Sequence, residues 1–207
     1  MGHTRPHRRQ RGQALTEFAL ITPLAFLLIL GGFDLSTMAT NTGLSVAAAR
    51  HGARLAAEEG GTNSLIGTCQ GTLAAGTSLA SVDGAIVQTV LAAMRNMSYM
   101  GGSANPNLPD RIDIYKPGGN SDSTLNTGVD AHEYYLPVDS PAFSVKHNDG
   151  PADYLLINRC QGPLGSETDI GVRVKWTFVP PNGIPGPSIS LTEYAVEKLS
   201  LCSENCN

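Results

Sequence analysis

The sequence predicts an α+β protein: a long N-terminal transmembrane helix that continues into a small antiparallel sheet domain packed by helices. Three observations predict it. Sixteen uncharged, mostly apolar residues run from Phe18 to Phe33. No proline interrupts Asp34 to Glu59, where small and apolar residues recur at helical spacing. Later segments alternate at a period of two residues, the pattern of half-buried strands.

The first element is the membrane helix. A basic cluster of Arg5, Arg8, Arg9 and Arg11 ends at Gly12, and Glu17 is the one charge from there to Asp34. At about 1.5 Å per residue, residues 14–33 span roughly 30 Å, the thickness of a bilayer's hydrocarbon core. Four arginines precede the run and none follows until Arg50. The positive-inside rule therefore puts the N-terminus in the cytoplasm and everything after Asp34 outside. The chain divides into a basic leader (1–12), a transmembrane helix (13–34), an extracytoplasmic extension of that helix (35–59) and an extracytoplasmic α+β domain (60–207).

The extension carries a stripe of Leu35, Met38, Thr42, Val46, Ala49 and Ala53. Gly43 and Gly52 lie beside it and would let a neighbouring helix approach closely. Arg50, Arg54 and Glu58 are spaced four apart on one face. Gly60-Gly61 stops the helix, so helix 13–58 would be about 70 Å long. Pro23 should kink it by freeing the carbonyl of Ala19, with Thr22 able to supply a hydrogen bond.

A second helix is predicted from about Ser78 to Tyr99, on the stripe Leu79, Val82, Ile86, Val90, Met94 and Met97, ending at Gly101-Gly102. Strands are predicted at 111–116, 154–159, 169–179 and 189–201, the last two as a hairpin across a Pro/Gly-rich turn. About four strands would then pack against helix 78–99 and the start of the long helix. Residues 117–152, dense in Gly, Asn, Asp, Ser and Pro, are predicted to be a long loop.

Composition excludes some partners. From Leu55 onward eight Lys and Arg face sixteen Asp and Glu, a formal charge of −8. A nucleic-acid interface would call for a basic face. Membrane lipid is the partner that the apolar run implies.

Glu17 needs a reason. A carboxylate inside a spanning helix costs roughly 2.5–3.5 kcal/mol at the centre and less near an end. It lies about one turn from the arginines, so Arg11 or water could satisfy it. A second account follows from spacing. If the chain is cut after Gly12, Gln13 becomes a free amine, and that amine on one subunit could pair with Glu17 of its neighbour in a low dielectric.

Basic residues, Gly12, then Gln13-Ala-Leu-Thr-Glu17-Phe18 and an apolar helix resemble the prepilin signal of the tight-adherence (Flp) pilus system. The chain is most similar there to the TadE-like minor pilins, or pseudopilins. A second likeness is Ala47-Ala-Ala-Arg50-His51-Gly52-Ala-Arg54-Leu55-Ala-Ala57, with His51 where the family often has Glu and Leu55 where it often has Tyr. A weaker one lies in Val172–Pro180 and Ile189–Val196. The resemblance does not extend over residues 60–168. It implies cleavage by a prepilin peptidase between Gly12 and Gln13, and an assembly role for Glu17 and Phe18. It implies a structural component of the pilus, acting in assembly and surface adhesion, with neither enzymatic activity nor a cofactor. The partners implied are other pilin subunits, the peptidase, an inner-membrane assembly platform and an assembly ATPase.

The four cysteines, Cys69, Cys160, Cys202 and Cys206, all follow the membrane segment. An even number in an exported segment favours disulfides. Three connectivities are open, with Cys69–Cys160 and Cys202–Cys206 the weakly preferred pair. A metal site is disfavoured, because no Cys-x-x-Cys pair with nearby His is present.

Catalytic patterns fail on their spacing. His132-Glu133-Tyr-Tyr-Leu136 opens like a zinc-protease motif but has Leu136 where the second His belongs. The sequence has no nucleophile elbow and no phosphate-binding glycine loop. Asn120, Asp122, Thr124, Asp130 and Glu133 supply oxygens without the calcium-loop spacing. Two alternatives to a pilin remain: a secreted binding protein or enzyme whose signal peptide is cut before Thr40, and an uncut signal-anchored receptor or adhesin.

Overall fold

The computed structural model describes residues 8–59, 79–100, 108–118, 123–136, 144–146, 169–183 and 186–199. The first element, α1 (Arg8–Glu59), is one helix of 52 residues, about 78 Å long. It runs through Pro23. The Thr22 hydroxyl donates to the Phe18 carbonyl at 2.6 Å, not to the Ala19 carbonyl that the proline frees.

The second helix, α2 (Leu79–Met94), packs along the C-terminal half of α1. It stops five residues before the predicted Tyr99. The Met97 N–H still reaches the Met94 carbonyl at 2.9 Å, and Tyr99 takes a left-handed φ of 59°. Tyr99 and Met100 then join the sheet: Met100 bridges Phe178, and the Val179 N–H donates to the Tyr99 carbonyl at 2.8 Å.

Five described strands form one antiparallel sheet: β1 (Arg111–Tyr115), β2 (His132–Leu136), β3 (Ser144–Lys146), β4 (Asp169–Phe178) and β5 (Ile189–Lys198), in the order β3-β2-β1-β4-β5. The predicted hairpin is present, paired without a break from Asp169↔Lys198 to Phe178↔Ile189. The predicted loop 117–152 is wrong in part, because β2 and β3 lie inside it. Polar flanks hid β2, yet His-Glu-Tyr-Tyr-Leu places Tyr135 opposite Ile112 in the ladder and gives that ring a core to fill. The strand predicted at 154–159 lies outside the described residues.

The pleat sorts side chains onto two faces. Ile170, Val172, Val174, Trp176 and Phe178 of β4 share the core face with Ile112 and Ile114 of β1, and all are fully buried. They pack against Ala48, Ala49, Ala53, Ala56 and Ala57 of α1 and Ile86, Val87, Val90 and Met94 of α2. Small residues on α1 are what allow the close approach. At Gly52 an added Cβ would lie 2.6 Å from Val90 Cγ2. Ala49 and Ala53 of the predicted stripe are fully buried, whereas upstream the buried positions are Asp34, Asn41 and Ser45 and Leu35 is 55% exposed. Polar side chains occupy the upstream part of this seam because the domain offers them partners, which the helical period cannot reveal.

On the opposite face, the buried Tyr115 ring lies over Gly171, its ladder partner. A Cβ on Gly171 would sit 2.3 Å from the ring's Cζ. The Tyr115 hydroxyl donates to the Ser123 carbonyl at 2.8 Å, and burial pushes its pKa well up. Asp113, fully buried, receives Arg111 on one oxygen at 2.5 Å and Arg173 on the other at 2.8 Å. Arg111 also stacks on Tyr134, 3.8 Å from the ring centroid. These charges are paired across β1 and β4, which offsets their desolvation.

Candidate functional site

The predicted site residues Gly12, Gln13, Glu17 and Phe18 all lie on α1, upstream of its packed half, and all are exposed. Among the described residues, the helix is buried by the domain from Gly31 onward. Before that it presents bare apolar side chains: Phe18 is 69% exposed and Leu20 78%. Helical backbone bonds satisfy this segment internally, the condition for standing in lipid. Residues 12–58 contain a window of mean hydropathy 2.1, long and apolar enough to cross a membrane once.

Within the site the groups meet as follows. Gln13 and Glu17 are one turn apart, and the Gln13 side-chain amide donates to Glu17 Oε1 at 3.3 Å. The Thr16 hydroxyl donates to the Gln13 carbonyl at 2.8 Å and lies 3.4 Å from the Gly12 carbonyl. Nothing stands within 4 Å of where a Gly12 Cβ would be. The sequence offered Arg11 or water as a partner for Glu17 within its own chain, and the Arg11 side chain lies outside what is described. Among the described side chains its partner is Gln13.

Other predicted positions fall elsewhere. Strand alternation puts His132 and Glu133 on opposite faces of β2. The His132 ring Nδ1 lies 3.0 Å from the Asp130 carbonyl, while Glu133 shares the Tyr135 hydroxyl with Asp83. Of the candidate calcium oxygens, Asp130 accepts the Asn126 N–H at 2.8 Å, and Asn120 and Asp122 lie outside the described residues. Among the described residues no group of three or more His, Cys, Asp and Glu is placed to hold a metal ion. Cys69, Cys160, Cys202 and Cys206 lie outside the described residues. The Arg54–Glu58 pair forms at 2.9 Å on the exposed face of α1.

Two polar clamps were missed. Asp34 accepts the Asn182 side-chain amide at 2.8 Å and its N–H at 3.2 Å. Asn41 brackets the backbone of Ser98, donating to its carbonyl and accepting its N–H at 3.3 Å. The available signal was their position: Asp34 is the first charge after the apolar run, and Asn41 is polar on a helix face that carries the core.

A bare apolar half-helix of spanning length, continuous with a half-helix buried in an α+β domain, is consistent with single-pass membrane anchoring. The family model described as "TadE-like protein" matches residues 12–54. Its bounds run from the candidate cleavage glycine to Arg54, over the bare half-helix and most of the packed half. On that match the chain is similar to the TadE-like proteins of the tight-adherence pilus system over about a fifth of its length. No curated protein and no solved structure matches the chain.

Proposed function

We propose that this protein is a minor pilin or pseudopilin of a tight-adherence pilus, processed by a prepilin peptidase between Gly12 and Gln13. One observation carries the reading: the TadE-like match begins at Gly12 and covers a helix whose first half presents its apolar side chains outward. Such a surface is matched by lipid before assembly and by the helices of other pilins after it. The N-terminus is cytoplasmic and the sheet domain extracytoplasmic, as the arginine asymmetry requires. Cleavage removes the four arginines and lowers the barrier to drawing the helix out of the bilayer. Glu17 then accepts the new α-amine of an incoming subunit in place of the Gln13 side chain. The four cysteines close two disulfides in the outer domain. The role is structural, with the assembly platform, the peptidase and other pilins as partners.

Continuity of α1 supports this reading over a conventional signal peptide. A cut before Thr40 would sever the helix between its two clamps, Asp34–Asn182 and Asn41–Ser98. N-terminal sequencing of the mature protein is the test. Gln13 as first residue is the expected result; Thr40 or Met1 would overturn it.

A further inference from the structure

We infer that the tip of the β4–β5 hairpin, with the neighbouring Tyr99, rests on the lipid headgroups at the outer surface of the bilayer; this depends on α1 spanning the membrane as proposed. The clamp at Asp34 sets the level. Asp34 is the first charge after Glu17, so it marks where α1 leaves the hydrocarbon. The hairpin tip is fastened to that point by two hydrogen bonds from Asn182. The tip is a tight turn, with the Gly183 N–H donating to the Pro180 carbonyl at 3.1 Å and Gly183 at a φ of 71°.

The chemistry of the tip suits that depth. From Trp176 to Thr192 there is no charged residue, and from Leu35 to Ala49 on α1 there is none either. Pressing the hairpin end against headgroups therefore desolvates no ion of its own, and the neighbouring Asp110 carboxylate is already engaged by the Thr177 hydroxyl. Outside α1 the exposed large hydrophobic residues of the described chain are Tyr99, Val129 and Val179. Two of them, Tyr99 (47% exposed) and Val179 (39%), are joined backbone to backbone at the hairpin end. The Asn41–Ser98 clamp holds this segment within about two helical turns, roughly 10 Å, of Asp34. An exposed tyrosine and valine at that height match the amphipathic side chains that collect at membrane interfaces. The bilayer surface thus becomes a second support for the domain and fixes which end of the sheet faces it.

The test is tryptophan quenching by brominated lipid. Full-length protein is placed in phosphatidylcholine vesicles brominated on acyl carbons just below the glycerol, with unbrominated vesicles as reference. Buried Trp176 provides the background, measured on the native chain. Pro181→Trp and Tyr99→Trp are the probes, and the second keeps the test valid if the first disturbs the turn. Val129→Trp, next to the opposite end of the sheet, is the negative control. Phe26→Trp, within the apolar run, reports insertion. Loss of the added emission at 26, 99 and 181, but not at 129, is the expected result. Loss at 26 with none at 99 and 181 would overturn the inference while leaving the spanning helix intact. No loss at 26 would overturn the spanning helix and the inference with it.

Discussion

Asp34 and Asn182, separated by 148 positions in the chain, meet through two hydrogen bonds at the point where the bare half of α1 becomes the packed half. The carboxylate is fully buried there. Its position explains why the domain lies along the helix from this residue onward, and why the β4–β5 turn needs an amide at its centre.

Asn182→Ala should lower the unfolding free energy by about 1.5–3 kcal/mol, since it removes the side-chain donor from a buried charged acceptor while the backbone N–H of residue 182 stays in place. Urea unfolding of the detergent-solubilised protein, followed by the emission of buried Trp176, measures the change. An unchanged midpoint would show that the clamp contributes no stability.

Gly52 and Gly43 should respond in opposite directions. Gly52→Ala drives a methyl to 2.6 Å from Val90 Cγ2, and should destabilise by about 1–3 kcal/mol as α2 is pushed off α1. Gly43→Ala meets nothing within 4 Å, and the helix propensity of alanine should make it neutral or stabilising by up to about 1 kcal/mol. The same unfolding assay compares them, and equal effects would contradict the α1–α2 packing.

Glu193 gives a pH dependence. Partial burial beside the core raises its pKa above the ordinary carboxylate value. The unfolded chain holds this proton less tightly. The contribution to stability is therefore full in acid below the unfolded pKa and is lost as pH rises through the folded one. Glu193→Gln should unfold with the native protein in acid and somewhat later than it at neutral pH. Thermal unfolding at the two conditions decides, and a variant less stable than native at neutral pH would refute the sign.

Glu17→Ala should leave membrane insertion and trimming at Gln13 intact, because it removes a charge from an apolar run. It should sharply reduce co-purification with other pilins. Glu17→Gln should retain part of that recovery. Equal recovery of native and Glu17→Ala protein would reduce Glu17 to a partner of Gln13 within its own helix.

Free-thiol labelling of the denatured, unreduced protein should detect none of Cys69, Cys160, Cys202 and Cys206. Each disulfide should contribute about 2–4 kcal/mol. Two or four reactive thiols would sink the proposal, and peptide mapping would distinguish the three connectivities.

Residues 8–59 show what a sequence determines alone. Helicity of α1 is a local property: apolar run, absence of breakers after Pro23, and Gly60-Gly61 beyond its end can all be read along the chain. The same holds for the β4–β5 hairpin, whose core-facing residues alternate without a break from Ile170 to Phe178. The position of Gly12, Gln13, Glu17 and Phe18 on a bare helix face also follows locally, since no other described element reaches them. Other features depended on distant partners. Asp34, Asn41 and Ser45 are buried because Asn182, Ser98 and the sheet domain are folded against them, and a hydrophobic period scores them as exposed. β2 was hidden for a similar reason: Tyr135 gains its burial from Ile112, and Glu133 from Asp83 and Tyr135. The polar upstream part of the buried face of α1, the early end of α2 and the meeting of the hairpin tip with Asp34 were all decided by tertiary packing. Burial is a property of pairs of elements, and a polar group enters a core only when its partner arrives from elsewhere in the chain.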